Sequence, residues 1–402
     1  MLLRGMRLAD GTGRDPVADA TVEIEGGRIV RVGGPSVSGG EVDCTGLTLV
    51  PGLIDAHSHL GLVDLAGQEA MPAAVVAAKI FRVCGLALDA GFTTVRDAGG
   101  VDGGLAHATE SGLVRGPRIF PSGPVLCQSG GHGDLRPPFG HHHHVPGIPG
   151  LAQMSQVVDG PDEVRWAARE AFRRGATQIK VCVSGGVVSL SDDLEDTQLS
   201  VDELRAAVEE AEARQTYVMA HAHNVRGIRN GLAAGVRSFE HATFLDEPTA
   251  TQVAAAGAWV VPTLAVTHLL ADEWEQWGLP PEAAERVAGI EEAMSHAVKL
   301  AADAGVKIGS GSDLLGPEQN RRGLELLLKS RILDPMRALV SATSVNAEII
   351  GMTDELGTVT EGKRADLVAF DGDPLSDPEL FDDPSRVVLV IQGGRIVKDT
   401  RS

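Results

Sequence analysis

The chain is 402 residues long, 43% hydrophobic and only 3% aromatic, with 49 glycines, a size and profile that point to one large domain with an appendage. Its formal net charge of −20 leaves no electrostatic basis for nucleic acid or an anionic membrane as partner. Its four cysteines, Cys44, Cys84, Cys127 and Cys182, are scattered without a CxxC pair, so reduced thiols are expected rather than a disulfide framework or a thiolate metal site.

In chain order, residues 1–5 lack the long apolar run of a signal peptide, and no stretch reaches the ~18 apolar residues of a membrane span. A cytoplasmic protein acting on a small molecule is the expectation. Residues 22–30 read as a strand, a Gly26-Gly27 turn and a second strand, and 388–397 repeat the pattern around Gly393-Gly394. Residues 356–370 would add strands beside them. Between the two ends, short apolar runs alternate with amphipathic stretches. The runs are 48–55, 93–97, 118–122, 178–184, 217–223, 238–241, 259–264 and 307–313. Helices are punctuated by Gly160-Pro161 and Gly175, by the capping pair Ser200 and Glu203, and by Gly305. The segment 130–150, rich in Gly, Pro and His, is too irregular for a helix and reads as a long loop. This alternation predicts an α/β fold: a (β/α)₈ TIM-like barrel over 51–354, with chemistry at the C-terminal strand ends. It would be inserted in a small β-sandwich domain built from both termini, 1–50 plus 355–402.

Metal-competent side chains fall at those strand ends. His57 and His59 end the first run, Lys180 lies on the fourth, His221 ends the fifth, His241 the sixth and Asp313 the eighth. Residues i and i+2 of a strand share a face, so His57 and His59 can aim two imidazoles at one ion. Imidazole and carboxylate suit Zn²⁺ or a similar first-row cation. An HxH pair alone is weak evidence, but four histidines and an aspartate at the ends of four strands are hard to explain as packing. Lys180 stands in an otherwise apolar strand, where an ammonium beside divalent cations would be repelled and desolvated. A neutral amine or an anionic carbamate formed with CO₂ would resolve that conflict; the alternative is a lysine that snorkels from the rim. On the fifth run His221 and His223 compete, since both can face the axis. His221, deeper in the strand, is taken as ligand, and His223 as a substrate contact nearer the mouth.

Asp55-Ala56-His57-Ser58-His59 after Pro51-Gly52-Leu53-Ile54, together with Phe239-Glu240-His241, Gly311-Ser312-Asp313 and the Gly357 to Leu367 motif, resembles the amidohydrolase superfamily. The likeness covers essentially the whole chain and is similar to the imidazolonepropionase-like and prolidase-like branch, with its dipeptidases and ochratoxin amidases. The resemblance implies a carboxylated Lys180 bridging two divalent cations, most readily Zn²⁺. His57, His59 and Asp313 would hold the buried cation, and His221 and His241 the exposed one. It also implies a homo-oligomer, a substrate-binding His132 in the loop 129–134, and cleavage of an amide C–N bond in a small peptide or N-acyl amino acid. Asp313 would shuttle the proton from the attacking water to the departing nitrogen. His223 stands where many such dipeptidases carry Tyr, which opens the substrate question.

His132 and His223 are expected to bind a substrate carboxylate as cationic or donor imidazoles, with Arg136 as a further candidate. The run His141 to His144 reads as a solvated loop. Rival readings are a hydrolase of a cyclic amide or lactone, a mononuclear deaminase, and a scaffold that has lost its metals. A deaminase expects Glu three residues after a fifth-strand histidine, where this chain has Asn224 and Arg226. A scaffold expects missing ligands, and all of the set are present.

Overall fold

The computed structural model describes residues 1–33, 41–64, 67–136, 139, 147–187, 189, 191–275, 287, 289–316 and 319–401. Both chain ends enter one sheet. Its order is Arg395–Asp399, Val387–Gln392, Leu367–Asp371, Leu47–Pro51, Leu2–Leu8, Val17–Glu25 and Arg28–Val32, with Glu41–Asp43 beside Leu2–Leu8. Alternate residues Leu3, Val22, Ile24, Leu49, Leu367, Leu389 and Ile391 meet in a shared apolar core. The two Gly-Gly turns need left-handed backbone, with φ of 57° and 81° at Gly26 and Gly27 and of 55° and 75° at Gly393 and Gly394. They also touch: a Cβ on Gly27 would lie 2.9 Å from the Gly393 carbonyl oxygen.

The run expected as one strand over 48–55 is two. Leu47–Pro51 pairs with Leu367–Asp371 in the terminal sheet, whereas Leu53–Ser58 pairs with Phe92–Asp97. The chain changes sheets at Gly52, where a Cβ would come within 2.2 Å of Thr93 Oγ1. Both halves are apolar, so composition marks no boundary. Residues 356–366 form turns rather than strands, and only Leu367–Asp371 is extended.

The remaining strands run parallel in two arrays. One holds Leu53–Ser58, Phe92–Asp97 and Arg118–Pro121. The other holds, in order, Ser155–Val157, Val125–Cys127, Ile179–Cys182, Val218–Ala222, Ser238–His241, Trp259–Val261 and Lys307–Ile308. The third predicted run, 118–122, is the strand Arg118–Pro121; beyond Pro124, which brings no N–H to continue a ladder, the further strand Val125–Cys127 was not anticipated. Ser155–Val157 was not anticipated. Backbone bonds tie the arrays together at both margins. Ala56 N–H donates to the Ser310 carbonyl at 2.9 Å, Asp313 N–H to that of His57 at 2.8 Å, and Thr177 N–H to that of Pro121 at 2.8 Å. This α/β order is consistent with a TIM-type barrel.

These strands are buried on both faces, as parallel strands under helices are. Val181, Ala220, Phe239 and Val260 pack in one core with Val164 and Phe172 of the helix Pro161–Arg173 and Leu204 and Val208 of the helix Val201–Glu212. Ser200 and Glu203 form the expected reciprocal cap on the latter helix. Among the described residues no helix is long and apolar enough to cross a membrane.

Candidate active site

Five strand ends bring the ligand candidates together. His57 lies on Leu53–Ser58 and His59 just beyond it. Lys180 lies on Ile179–Cys182, His221 on Val218–Ala222 with His223 just beyond, His241 ends Ser238–His241, and Asp313 follows Lys307–Ile308. The parallel register sets Cys182 beside His221 and Ala222 beside His241. His241, Ala242 and Asp313 have φ of 69°, 51° and 52°. Non-glycine residues there cost on the order of 1–3 kcal/mol each, strain that concentrates at functional sites.

Bonding behind the imidazoles sets their tautomers. His59 Nδ1 lies 2.8 Å from the Gly99 carbonyl oxygen, which can only accept, so Nδ1 carries the proton and Nε2 the lone pair. His57 Nδ1 donates to Glu240 Oε2 at 2.6 Å, which likewise leaves its Nε2 bare. His221 is reversed: its Nε2 donates to the Gly185 carbonyl at 3.2 Å, so Nδ1 is the available donor. His241 Nδ1 meets Thr263 Oγ1, and His223 Nδ1 meets Thr243 Oγ1, each at 2.8 Å.

The bare nitrogens converge on a carboxylate. His57 Nε2 and His59 Nε2 lie 3.5 and 3.3 Å from Asp313 Oδ1, and His241 Nδ1 lies 3.9 Å from Asp313 Oδ2. Lone pairs facing a carboxylate at such distances repel unless a proton or a cation stands between them. Burial strengthens the conflict, because it drives the imidazoles neutral. His57, His221 and His241 are held well below the usual histidine range and His59 falls to about 3, in each case chiefly by desolvation. Desolvation also lowers Lys180, whose Nζ lies 3.5 Å from His57 Nε2, and raises Asp313. The donor set therefore suits bound cations, which would reverse this pKa pattern. Donor atoms of His57, His241 and Asp313 lie within 4.8 Å of one another, as do those of His221, His223 and His241. Both fifth-strand histidines thus stand within reach of a cation.

A cavity of about 210 Å³ opens over this cluster. His57, His59, Lys180, His221, His223, His241, Asp313 and His132 line it on one side. Leu62, Val187, Val266, Leu270, Ile290 and Met294 form an apolar wall. His132 stacks on His221 at 4.1 Å between ring centroids. Its pKa falls to about 4 and that of His223 to about 3, both chiefly through burial. Burial thus disfavours the cationic form of these rings and leaves them as hydrogen-bonding groups at the cavity. Arg136 is engaged elsewhere, with Nη2 2.6 Å from Asp134 Oδ2. The run His141 to His144 lies outside the described residues.

Sequence reading gave no supporting role to Glu240 or Arg322. Arg96 Nη2 donates to both oxygens of Glu240 at 3.0 and 2.9 Å, and Ser238 Oγ donates to Oε1 at 2.6 Å. Arg322 Nη1 donates to Asp55 and, at 2.7 Å, to Ser58 Oγ. Glu240 sits beside a ligand candidate in its motif, a signal that could have singled it out. Arg322 comes from an irregular segment and had no such signal. Asp97 accepts from Leu60 N–H at 2.8 Å and Gly99 N–H at 3.1 Å, which supports the turn behind His59.

Comparison with known proteins agrees with this geometry. The amidohydrolase family model matches residues 48–397. Ochratoxinase of Aspergillus niger is 33% identical over 366 residues, 87% of this chain and 75% of that protein. A prolidase structure complexed with N-methylphosphonate-L-proline superposes with a TM-score of 0.94 at 41% identity, covering 99% of both chains. A Xaa-Pro dipeptidase structure with bound methionine gives 0.88 at 28% identity, again over 99% of both chains.

Proposed function

The chain belongs to the amidohydrolase family and is a hydrolase of carbon–nitrogen bonds, and from that premise we propose that it cleaves the amide bond of a small peptide or N-acyl amino acid at a centre of two divalent cations, most readily Zn²⁺. The observation that carries this reading is the convergence of bare imidazole nitrogens on Asp313 beside the buried Lys180. In this reading 51–354 form the (β/α)₈ barrel, and 1–50 plus 355–402 a β-sandwich domain. His57, His59 and Asp313 would hold one cation and His221 and His241 the other, and Lys180 as a carbamate would contribute an anionic ligand to both. Burial favours the neutral amine of Lys180. That amine adds to CO₂, the new N–C bond forms and one proton leaves, giving the anionic carbamate. The relatives named above act on small amide or peptide substrates, and the apolar wall suits a hydrophobic half of such a molecule.

Bound there, the cations supply Lewis acidity, polarising the scissile carbonyl and acidifying water. The chain's own residues do the rest. Asp313, its carboxylate facing His57 and His59, takes the proton released by the attacking water and returns it to the departing nitrogen. Glu240 and the Gly99 carbonyl hold the rings of His57 and His59. His132 and His223 contact the substrate, and the wall from Leu62 to Met294 excludes water. A cytoplasmic homo-oligomer is the setting we propose.

The test is metal content after mild purification together with a hydrolysis screen over dipeptides, N-acyl amino acids and cyclic amides. About two equivalents per chain and turnover of linear amides are expected. One equivalent with deamination, or fastest turnover of lactones and cyclic ureas, would overturn the reading.

A further inference from the structure

Behind His132 stands a cluster of polar side chains with no part in holding a cation. Ser189, Asp192 and Gln198, from the segment after Ile179–Cys182, are only 6%, 8% and 2% exposed. Ser189 Oγ donates to Asp192 Oδ1 and lies 3.1 Å from His132 Nδ1. Gln198 Nε2 donates to Asp192 Oδ2 at 2.6 Å, and Gln198 Oε1 accepts the backbone N–H of His132 at 2.9 Å. The ring and the backbone of His132 are thus tethered to one carboxylate by two routes. The surrounding backbone is cut to fit. A Cβ on Gly186 would lie 2.2 Å from His132 Nδ1, and one on Gly131 would lie 2.6 Å from Gln198 Oε1. The Nδ1 edge of His132 therefore faces Gly186 and Ser189, and the residue lines the cavity.

A hydroxyl has one proton to give. Directed to Asp192, it leaves Ser189 Oγ as an acceptor, so His132 Nδ1 must supply the proton of the Ser189–His132 bond. We propose that Asp192 and Ser189 are positioning residues that lock His132 in the Nδ1-protonated tautomer, so that its bare Nε2 accepts a hydrogen bond from an N–H of the substrate. This deepens the amide-hydrolase reading and rests on it for the substrate, though not for the tautomer. With its proton held on Nδ1 by Ser189, the ring offers an Nε2 lone pair, which selects a donor rather than a carboxylate. A secondary amide offers that donor, whereas an ester or a prolyl amide has none at the scissile bond.

Two readouts test this on the metal-loaded full chain. In a two-bond ¹H–¹⁵N histidine spectrum, with the His132 signals assigned by their loss in His132→Gln, the wild type should show the Nδ1-protonated form. Ser189→Ala should raise the Nε2-protonated form, and Ser189→Thr should restore the wild-type pattern. An Nε2-protonated His132 in the wild type overturns the proposal. In the second readout, Ser189→Ala should lower kcat/KM for N-acetyl-L-phenylalanine by about three- to tenfold, the loss of one neutral hydrogen bond. The ester isostere, O-acetyl-phenyllactate, should change less than about twofold on the same grounds. Metal content should not change. Equal losses on amide and ester would mark a merely structural role and overturn the proposal. Should the wild type hydrolyse no linear amide, the proposed function fails, and the spectrum still decides the tautomer.

Discussion

Asp55 lies on the edge strand Leu53–Ser58 of one parallel array and Asp313 follows the edge strand Lys307–Ile308 of the other, yet the chain treats them differently. Asp55 Oδ1 accepts from the N–H groups of His57 and Ser312 at 3.1 and 3.0 Å; its Oδ2 accepts from Ser312 Oγ at 2.6 Å and from Arg322 Nη1. Asp313 faces imidazole nitrogens at 3.3 to 3.9 Å, two of which have their protons committed on the far side of the ring. The first carboxylate is saturated by the protein and belongs to the scaffold. The second faces imidazole nitrogens, a donor set compatible with a divalent cation. A buried polar group reports function through the partners it lacks, not through its burial.

The comparison is broken most severely at Lys180. Lys180→Ala should abolish hydrolysis and sharply reduce bound metal, since the bridging anion is lost. Short carboxylic acids added with metal should restore part of the rate. A high-resolution map with a bare ammonium in a fully metallated site would refute the carbamate. Next in size is Asp313→Asn, expected to lower kcat by ~10²–10⁴-fold, the usual cost of losing a general acid–base, with an unchanged circular dichroism spectrum. Near-normal kcat with normal metal content would remove Asp313 from the mechanism. On the scaffold side, Arg322→Met strips one donor from buried Asp55 and should destabilise folding by ~3–5 kcal/mol, read as a lowered denaturant midpoint. If unfolding barely changes, the saturation of Asp55 is not what holds this layer.

The two regions also differ in how legible they were. His57 and His59 stand out because a strand repeats every two residues, and Lys180 because it is the one cation in an apolar strand. These are local signals, and local signals survive in sequence. Arg322, Ser189 and Asp192 lie in irregular segments, where no periodicity says which way a side chain points; their meaning comes from contacts across long chain separations. The 48–55 run misled for a related reason. Leu47–Pro51 and the start of Leu53–Ser58 are both apolar, and the chain changes sheets at Gly52, which packs against Thr93. The end of the third run was legible, since Gly123-Pro124 follows it and proline cannot donate to a ladder.

The mildest perturbation tests the residue that joins the two regions. Glu240 accepts from Arg96 and Ser238 on the scaffold side and from His57 Nδ1 on the cavity side. Through that last bond it keeps the His57 lone pair on Nε2, pointed at Asp313, and raises the basicity of the ring. Glu240→Gln keeps the volume and removes the charge. Its amide must then turn one N–H₂ either toward Arg96, where donor meets donor, or toward His57 Nδ1, where the ring proton would have to move to Nε2 and block the ligand position. Either outcome weakens metal holding without removing a ligand, and outer-shell losses of this kind run to about 10–100-fold in affinity or activity. Dialysis against a graded chelator series should therefore empty the variant at ten- to a hundredfold lower chelator strength than wild type, a range set by the same outer-shell effect. Excess metal should recover most of the kcat. If the variant retains metal like wild type, the tautomer of His57 is held by something other than Glu240, and the link between scaffold and site runs elsewhere.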